Sequence, residues 1–261
     1  MDKKVILISI DGMRPDGLKQ CNNPYLDELM KIASYTFDAR TVFPSVTLPC
    51  HTSLFHSVPP ERHGTTTNDY VPQVRPISGL FEQLKNAGKV SGMFYGWEPL
   101  RDVARPSSLM KADYINAYSF DHTDAMLTDS ALKYIKDAKP DFVFLYMVET
   151  DEKGGHDNVW MSDIYLDYIK CAIDNVKRVI EETNGEYTII ITADHGGHDR
   201  MHGTEMDEDM TIPMMFYGPE FEAGKELKGI SILDIAPTIA EIMSVPVPRE
   251  WEGKSILSED K

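Results

Sequence analysis

The chain has 261 residues, of which 42% are hydrophobic and 26% are charged, and its formal net charge is −16. This length and composition are typical of a soluble globular protein with a sizeable core, and they exclude a disordered chain. The negative charge disfavours a nucleic-acid polymer or an acidic membrane surface as a partner, because such partners usually require a basic patch. A small anion that is bridged to the protein by metal ions remains compatible with this charge.

The cysteines and the first residues indicate a cellular location. Cys21, Cys50 and Cys171 are odd in number and show no CxxC spacing, which argues against a disulfide framework and against a thiolate zinc site. The apolar run after "MDKK" ends at Asp11 and is too short for a signal peptide or a membrane span. We therefore predict reduced thiols, a cytoplasmic location and no membrane association.

Predicted strands and helices alternate along the chain. The β-branched run 4–10 predicts a buried parallel strand. Asn23 and Pro24 then predict the start of a helix that ends near Ser34. Another helix is expected after Pro49. Further helices are expected near 78–87, 121–137, 160–183 and 232–243, and further strands near 89–95, 141–148, 187–193 and 211–217.

This alternation predicts one α/β domain over residues 1–261, with a mostly parallel central sheet and helices on both faces. In such sheets, ligands bind at the carboxyl ends of the strands. The segment 96–122 has weak periodicity, prolines and several aromatic residues, so we expect a small cap over that edge. The tail "LSEDK" (257–261) is expected to be disordered.

Groups that can bind metal ions cluster at the predicted strand ends. Their type, carboxylate and imidazole, suits zinc and less commonly manganese or iron. The candidate ligands are Asp11, Asp151, His156, Asp194, His195 and His202. Six such groups are too many for one tetrahedral ion and about right for two divalent ions. Taken singly, each motif also has an ordinary structural interpretation, such as a turn at Asp11 or a polar loop at 193–203.

Four motifs in order resemble the alkaline-phosphatase superfamily, and specifically its nucleotide pyrophosphatase/phosphodiesterase branch. They are "ISIDGMRPD", "FPSVTLPCHTSLF", "ETDEKGGHD" and "TADHGGHDRMHGTE", and the similarity continues through "TIPMMFYGP" and "ILDIAPTIAEIM". The resemblance implies an alkaline-phosphatase-like fold and two metal ions, with zinc favoured over Mn²⁺. It implies one ion held by Asp151, His156 and His202, and another held by Asp11, Asp194, His195 and the hydroxyl oxygen of Thr47.

The same resemblance implies that Thr47 is the nucleophile. Coordination to a divalent ion would lower the pKa of its hydroxyl and activate it for attack. The implied activity is metal-dependent hydrolysis of a phosphodiester or pyrophosphate bond in a small phosphorylated substrate, through a phosphothreonine intermediate. The alternatives at this point are a helix-capping role for Thr47 and a nucleophilic role for Ser45.

Substrate contacts and rival functions remain open from the sequence. We predict substrate contacts at Cys50, which is a weaker donor than an amide, and at Asn68 in "GTTTNDY". In the "ETDEKGGH" motif we favour Asp151 over Glu152 as the metal ligand. A phosphomonoesterase, a phosphonate hydrolase or a phosphosugar mutase of the same superfamily is an alternative, as is a non-catalytic protein that binds metal or phosphate. A sulfatase would need Cys-x-Pro-x-Arg, whereas "HTSLF" follows Cys50.

Overall fold

The computed structural model of the protein describes residues 3–257. The disorder expected for the tail therefore concerns residues that, apart from Leu257, lie outside this range. Seven strands form a single sheet in the order β2-β7-β6-β1-β5-β3-β4. Their bounds are β1 Val5–Ile10, β2 Ser34–Arg40, β3 Ser91–Tyr95, β4 Lys111–Tyr114, β5 Phe142–Met147, β6 Thr188–Thr192 and β7 Thr211–Tyr217.

The sheet is mostly parallel, as predicted. Strand β1 lies at its centre between β5 and β6 and is parallel to both, and β3 is parallel to β5 and β4. Strand β7 is antiparallel to both β6 and β2. Every residue of β1, β5 and β6 is buried, because helices cover both faces of a parallel sheet.

Nine α-helices connect the strands within the described part of the chain. Their bounds are α1 Pro15–Gln20, α2 Pro24–Ile32, α3 Thr47–His56, α4 Pro60–His63, α5 Leu80–Asn86, α6 Thr123–Ala138, α7 Asp163–Thr183, α8 Asp207–Met210 and α9 Ile235–Ile242. Two 3-10 helices span Glu98–Val103 and Ile232–Asp234, and a π-helix spans Thr150–His156. Among residues 3–257, no helix is both long enough and apolar enough to cross a membrane.

The segment 96–122 differs from the predicted cap. Its residues 111–114 form β4, which pairs with β3 and adds an edge strand to the sheet. Beyond this strand, the Tyr118 hydroxyl donates to Glu152, and Lys153 donates to the carbonyl oxygen of Phe120. The segment therefore extends the sheet first and only then packs against the π-helix that follows β5.

Candidate metal centre

Three aspartates meet at the carboxyl edge of the sheet because they follow three neighbouring parallel strands. Asp11 comes directly after β1, and its backbone N–H donates to the carbonyl oxygen of Met147 at the end of β5 (2.9 Å). Asp151 lies on the π-helix after β5, and Asp194 lies two residues beyond β6. All three side chains are buried.

Gly12 permits this close approach. Its φ of +64° lies in the left-handed region, and a Cβ built on it would lie 2.8 Å from Asp151 Oδ1. Any other residue would push against that carboxylate and strain the backbone. The backbone N–H of Gly12 donates to Asp194 Oδ1 (3.2 Å), so this glycine contacts two of the three aspartates.

Three histidines face the aspartates, and each uses the same ring nitrogen to bond a backbone carbonyl oxygen. In each ring, Nδ1 donates to a backbone carbonyl oxygen: His156 to Arg200 (2.9 Å), His195 to Gly196 (2.7 Å) and His202 to Ser45 (2.9 Å). A carbonyl can only accept, so these bonds hold the proton on Nδ1 and leave a lone pair on Nε2. This arrangement is common for metal-ligating histidines, in which the second nitrogen orients the ring.

The free Nε2 atoms point at carboxylate oxygens. His195 Nε2 lies 3.3 Å from Asp11 Oδ1 and 3.4 Å from Asp194 Oδ2. His156 Nε2 lies 3.4 Å from Asp151 Oδ2, and His202 Nε2 lies 3.9 Å from Asp151 Oδ1. Lone pairs that face carboxylate oxygens repel one another unless a cation lies between them, so the donor set fits metal ions.

Two groups of ligand atoms are close enough to hold an ion each. One consists of Asp11, Asp194 and His195, and the other of Asp151, His195 and His202. The rings of His195 and His202 stack with their centroids 3.8 Å apart, which places the two groups side by side. His156 contacts Asp151 but belongs to neither compact group, and its ring centroid lies 5.1 Å from that of His202.

The buried oxygens support the same conclusion. Asp11 Oδ1, Asp151 Oδ1 and Asp194 Oδ2 have no hydrogen-bond partner among residues 3–257, although buried polar atoms are normally paired. Burial, together with the charge of Asp194, raises the pKa values of Asp11 and Asp151 well above the usual range. Burial also lowers the pKa of His202 to about 3, so this imidazole is neutral, as a metal ligand must be.

Thr47 is the first residue of α3 and reaches the centre directly. Its Oγ1 lies 3.2 Å from His195 Nε2. The residue in the N-cap position is Val46, and no side chain at that position caps the helix. Thr47 therefore does not cap α3, and the alternative role considered from the sequence is not observed. The Ser45 hydroxyl donates to the carbonyl oxygen of Thr204 (2.8 Å).

The structure corrects the prediction that Cys50 contacts substrate. Its side chain is fully buried and accepts a hydrogen bond from the Thr41 hydroxyl (3.2 Å), with the carbonyl oxygens of Val42 and Pro44 at 3.9 and 3.8 Å from Sγ. Burial raises the pKa of the thiol. Cys50 lies about one helical turn after the start of α3, and its side chain packs back against the loop that precedes this helix.

Asn68 contacts the backbone beside Thr47, and Glu152 contacts Tyr118. The side-chain oxygen of Asn68 accepts from the backbone N–H of Leu48 (3.0 Å), the residue after Thr47, and the residue is exposed to solvent. Glu152 accepts from the Tyr118 hydroxyl (3.1 Å), whereas Asp151 faces the histidines. Of these two neighbours, Asp151 is the one placed to bind an ion.

Two residues that were not predicted as site residues contact the candidate centre. The Tyr146 hydroxyl on β5 donates to Asp11 Oδ2. His51 donates through Nδ1 to the carbonyl oxygen of Thr47 (2.8 Å), and the same atom lies 3.4 Å from Asp194 Oδ2. The four-residue spacing of Thr47 and His51 on one helix was the available signal, because it places them on one face.

The fold and the site define an α/β protein of the alkaline-phosphatase type. A family model described as type I phosphodiesterase / nucleotide pyrophosphatase matches residues 5–211, and the chain belongs to this family. All four motifs begin within that range, so the family assignment includes every candidate ligand and Thr47.

Solved structures and curated proteins extend this comparison. Murine ectonucleotide pyrophosphatase / phosphodiesterase 5 has a TM-score of 0.81 at 15% identity and covers 95% of this chain and 96% of its own. The phosphonate monoester hydrolase of Silicibacter pomeroyi has a TM-score of 0.75 at 16% identity, covering 97% and 76%. The 2,3-bisphosphoglycerate-independent phosphoglycerate mutase of Cellvibrio japonicus is 22% identical over 95% of this chain, which spans 49% of the mutase.

Proposed function

We propose that the protein hydrolyses phosphate diesters or pyrophosphates of small molecules, with Thr47 as the nucleophile and two divalent ions, favoured to be zinc, as cofactors. One observation carries this proposal: the Thr47 hydroxyl contacts His195 inside a buried cluster of imidazole rings and unpartnered carboxylate oxygens. The Thr47 hydroxyl makes no helix-capping bond, so a structural role at the start of α3 does not explain its position in this cluster.

Two sets of residues would hold the ions. Asp11, Asp194, His195 and Thr47 would hold one, and Asp151 and His202, joined by His156, would hold the other. When bound, the ions supply positive charge that lowers the pKa of a hydroxyl and neutralises phosphate oxygens. The two compact groups both include His195, which keeps the two sites adjacent.

The residues of the chain then carry out a two-step displacement. The Thr47 oxygen attacks phosphorus, the bond between phosphorus and the leaving oxygen breaks, and the leaving group departs as an alcohol or nucleotide. Water next attacks the phosphothreonine, and cleavage of its P–O bond restores the Thr47 hydroxyl and releases the phosphorylated product. The positive end of the α3 dipole and the Asn68 amide, which is oriented by its bond to Leu48, stabilise the charged phosphoryl oxygens.

We expect diesters to be preferred over monoesters. A monoester carries an additional negative charge, and the cationic side chains around the centre already have partners. Arg14 pairs with Asp16, Lys153 pairs with Glu149, and Arg200 donates to the carbonyl oxygen of His156. The additional negative charge of a monoester would therefore have to be neutralised by the metal ions alone.

The test measures release of p-nitrophenol from bis(p-nitrophenyl) phosphate by three variants. Thr47→Ala should lower kcat by on the order of 10³-fold or more, because the covalent step is lost. Thr47→Ser should keep measurable turnover, since serine offers the same oxygen. Ser45→Ala tests the alternative nucleophile two residues away and should lower turnover much less than Thr47→Ala, because the Ser45 hydroxyl donates to the carbonyl oxygen of Thr204. Near-normal turnover in Thr47→Ala, with loss of turnover in Ser45→Ala, would refute the assignment.

A phosphosugar or phosphoglycerate mutase is a second candidate. The mutase of Cellvibrio japonicus, whose match includes 95% of this chain, favours it. A mutase returns the phosphoryl group to a second hydroxyl of the substrate, whereas a hydrolase transfers it to water. Incubation with 3-phosphoglycerate distinguishes them: appearance of 2-phosphoglycerate without inorganic phosphate would support the mutase.

A further inference from the structure

We propose that Asp209 is a positioning residue of the metal centre: its buried carboxylate holds the loop 195–204 in the shape that places His202 beside Asp151. This inference rests on the metal binding in the proposed function. Asp209 belongs to α8, four residues long, which follows the loop, and its exposure is 0%. It contacts neither substrate nor the ligand atoms themselves.

The side chain of Asp209 joins the middle of the loop to its last residue. Oδ1 lies 2.7 Å from His198 Nδ1 in the middle of the loop. Oδ2 accepts from both the backbone N–H (2.9 Å) and the hydroxyl (2.7 Å) of Thr204 at its end. Between these anchors, His198 and Met201 form two backbone hydrogen bonds of 2.9 Å, which close a tight turn just before His202.

The backbone around Asp209 fixes the opposite end of the same loop. The N–H of Gly196 donates to the carbonyl oxygen of Asp209 (2.8 Å), and that of Gly197 donates to the carbonyl oxygen of Glu208 (3.0 Å). A Cβ on Gly196 would lie 2.0 Å from Glu208 O, so the contact is close enough to require glycine. These bonds hold the residue next to His195 through backbone atoms, which a change of the Asp209 side chain leaves in place.

The loop also connects to the nucleophile. Thr204, held by Asp209, accepts from the Ser45 hydroxyl through its carbonyl oxygen (2.8 Å), and His202 Nδ1 donates to Ser45 O (2.9 Å). Ser45 lies two residues before Thr47. The Asp209 carboxylate therefore supports both His202 and the segment that presents the nucleophile. Residues that orient metal ligands in this way commonly change metal affinity by 10–100-fold when they are replaced.

The experiment titrates zinc into the metal-free full-length protein in competition with a chromophoric chelator, so that no substrate is needed. In Asp209→Asn, an amide NH₂ would face His198 or Thr204 in place of an acceptor. We expect one of the two zinc ions to bind about 10–100-fold more weakly and the other to change by less than about threefold. The weakened ion is the one that His202 and Asp151 hold.

Two further variants separate positioning from general stability. Thr204→Val removes one bond to Asp209 with little change of shape, and it should weaken the same ion in the same direction. Asp234→Asn is the matched control: its carboxylate is likewise buried and accepts hydrogen bonds, from the backbone N–H groups of Ser231 and Lys254, but it lies near Ser57 at the far end of α3. It should lower the melting temperature without changing zinc affinity.

The outcomes are distinct. Unchanged zinc affinity in Thr204→Val, or in folded Asp209→Asn, overturns the inference, as does an equal loss in Asp234→Asn. A wild-type protein that binds two zinc ions but fails to hydrolyse diesters would refute the proposed function and leave the positioning role intact. Selective weakening of one ion in both loop variants supports it.

Discussion

Trp160 fills the space between two glycines at the candidate metal centre. A Cβ on Gly155 would lie 2.5 Å from the indole, and one on Gly197 would lie 2.2 Å from it. The indole N–H donates to the carbonyl oxygen of Gly12 (2.9 Å), and the ring meets that of His156 edge-on at 5.1 Å. The width of one indole therefore sets the separation of the π-helix and the loop 195–204.

Substitution of one of these glycines should disturb the ligands that flank Trp160. Gly197→Ala adds a methyl group where no space exists, so we expect a loss of about 1–3 kcal/mol of unfolding free energy and weaker zinc binding. Gly185→Ala is the control, because its φ of +76° makes alanine strained but no atom lies within 4 Å of the added Cβ. Denaturant unfolding and zinc titration measure both effects. Equal zinc affinity in wild type and Gly197→Ala would contradict the role of Trp160.

Replacement of Cys50 by asparagine should lower the stability of the folded protein and should not raise kcat. The thiol lies among Thr41, Val42 and Pro44, where a larger amide has one hydroxyl as a neighbour and little space. We expect Cys50→Asn to lose about 1–3 kcal/mol of stability through a poorly satisfied buried amide. Cys50→Ala should lose less, because it introduces no polar atom. A stable Cys50→Asn protein with a several-fold higher kcat would contradict this prediction and indicate that residue 50 contacts the substrate.

Helix α3, which is buried over its whole length, brings Thr47 to the candidate metal centre. It packs with its first turn against the metal centre and donates from His56 Nδ1 to the carbonyl oxygen of Thr52 (2.9 Å) near its end. His63, just beyond, lies 2.9 Å from Ser53 Oγ on the same helix. Burial lowers the pKa values of both His56 and His63 to about 4. These rings therefore stay neutral in the folded protein at pH values where exposed imidazoles are charged.

The buried histidines predict a specific loss of stability in acid. Between pH 6.5 and about 4, the unfolded chain binds protons at His56 and His63 that the folded chain excludes, so stability is full above this window and falls as the pH decreases through it. Each ring contributes on the order of 1–3 kcal/mol to this fall.

Urea unfolding at pH 7 and at pH 5 measures the effect. His56→Gln should lose less stability between the two values than wild type does, because glutamine does not titrate. His122→Gln replaces an exposed histidine and should behave as wild type does. An identical pH dependence in His56→Gln and wild type would contradict the prediction.

The elements that the sequence predicted share strong periodicity and burial, and those that it missed do not. The run 4–10 is apolar throughout and was predicted within one residue of β1. Strands β2 and β4 lie at the two sheet edges, where several residues are exposed or only partly buried and the sequences SYTFDAR and KADY are partly polar. Their strand conformation depends on partners distant in sequence, which local patterns do not reveal. The π-helix at 150–156 contains two glycines and has no propensity signal of its own.

At the scale of the whole molecule, topology explains why the sequence could predict that the candidate ligands lie close together. Parallel strands β1, β5 and β6 end at one edge, so residues after each strand must converge wherever the order of strands places these three together. The orientation of the histidines and the hydrogen bonds of Asp209 could not be predicted. They depend on the conformation of loops that have no periodic pattern. The Cys50 prediction failed for a related reason: spacing along the chain did not show which way the side chain turns.

Removal of metal ions should lower the stability of the entire domain. The centre gathers three aspartates in one buried place, and they repel one another unless protons or cations neutralise them. Ions that bind only the folded chain stabilise it by RT ln(1 + [L]/Kd), about 2.7 kcal/mol for each site at a free concentration 100 times Kd. Two such sites together correspond to a decrease of about 10–20 °C in melting temperature on chelation.

A double variant, Asp11→Asn with Asp151→Asn, tests this explanation directly. It removes two of the three charges while keeping the side-chain shapes, so its melting temperature should exceed that of metal-free wild type and should not respond to EDTA. Thermal unfolding of both proteins, with EDTA and with added zinc, measures each difference. If EDTA leaves the wild-type melting temperature within about 1 °C, the ions do not stabilise the domain. If the double variant is instead less stable than metal-free wild type, repulsion among the carboxylates is not what the ions relieve.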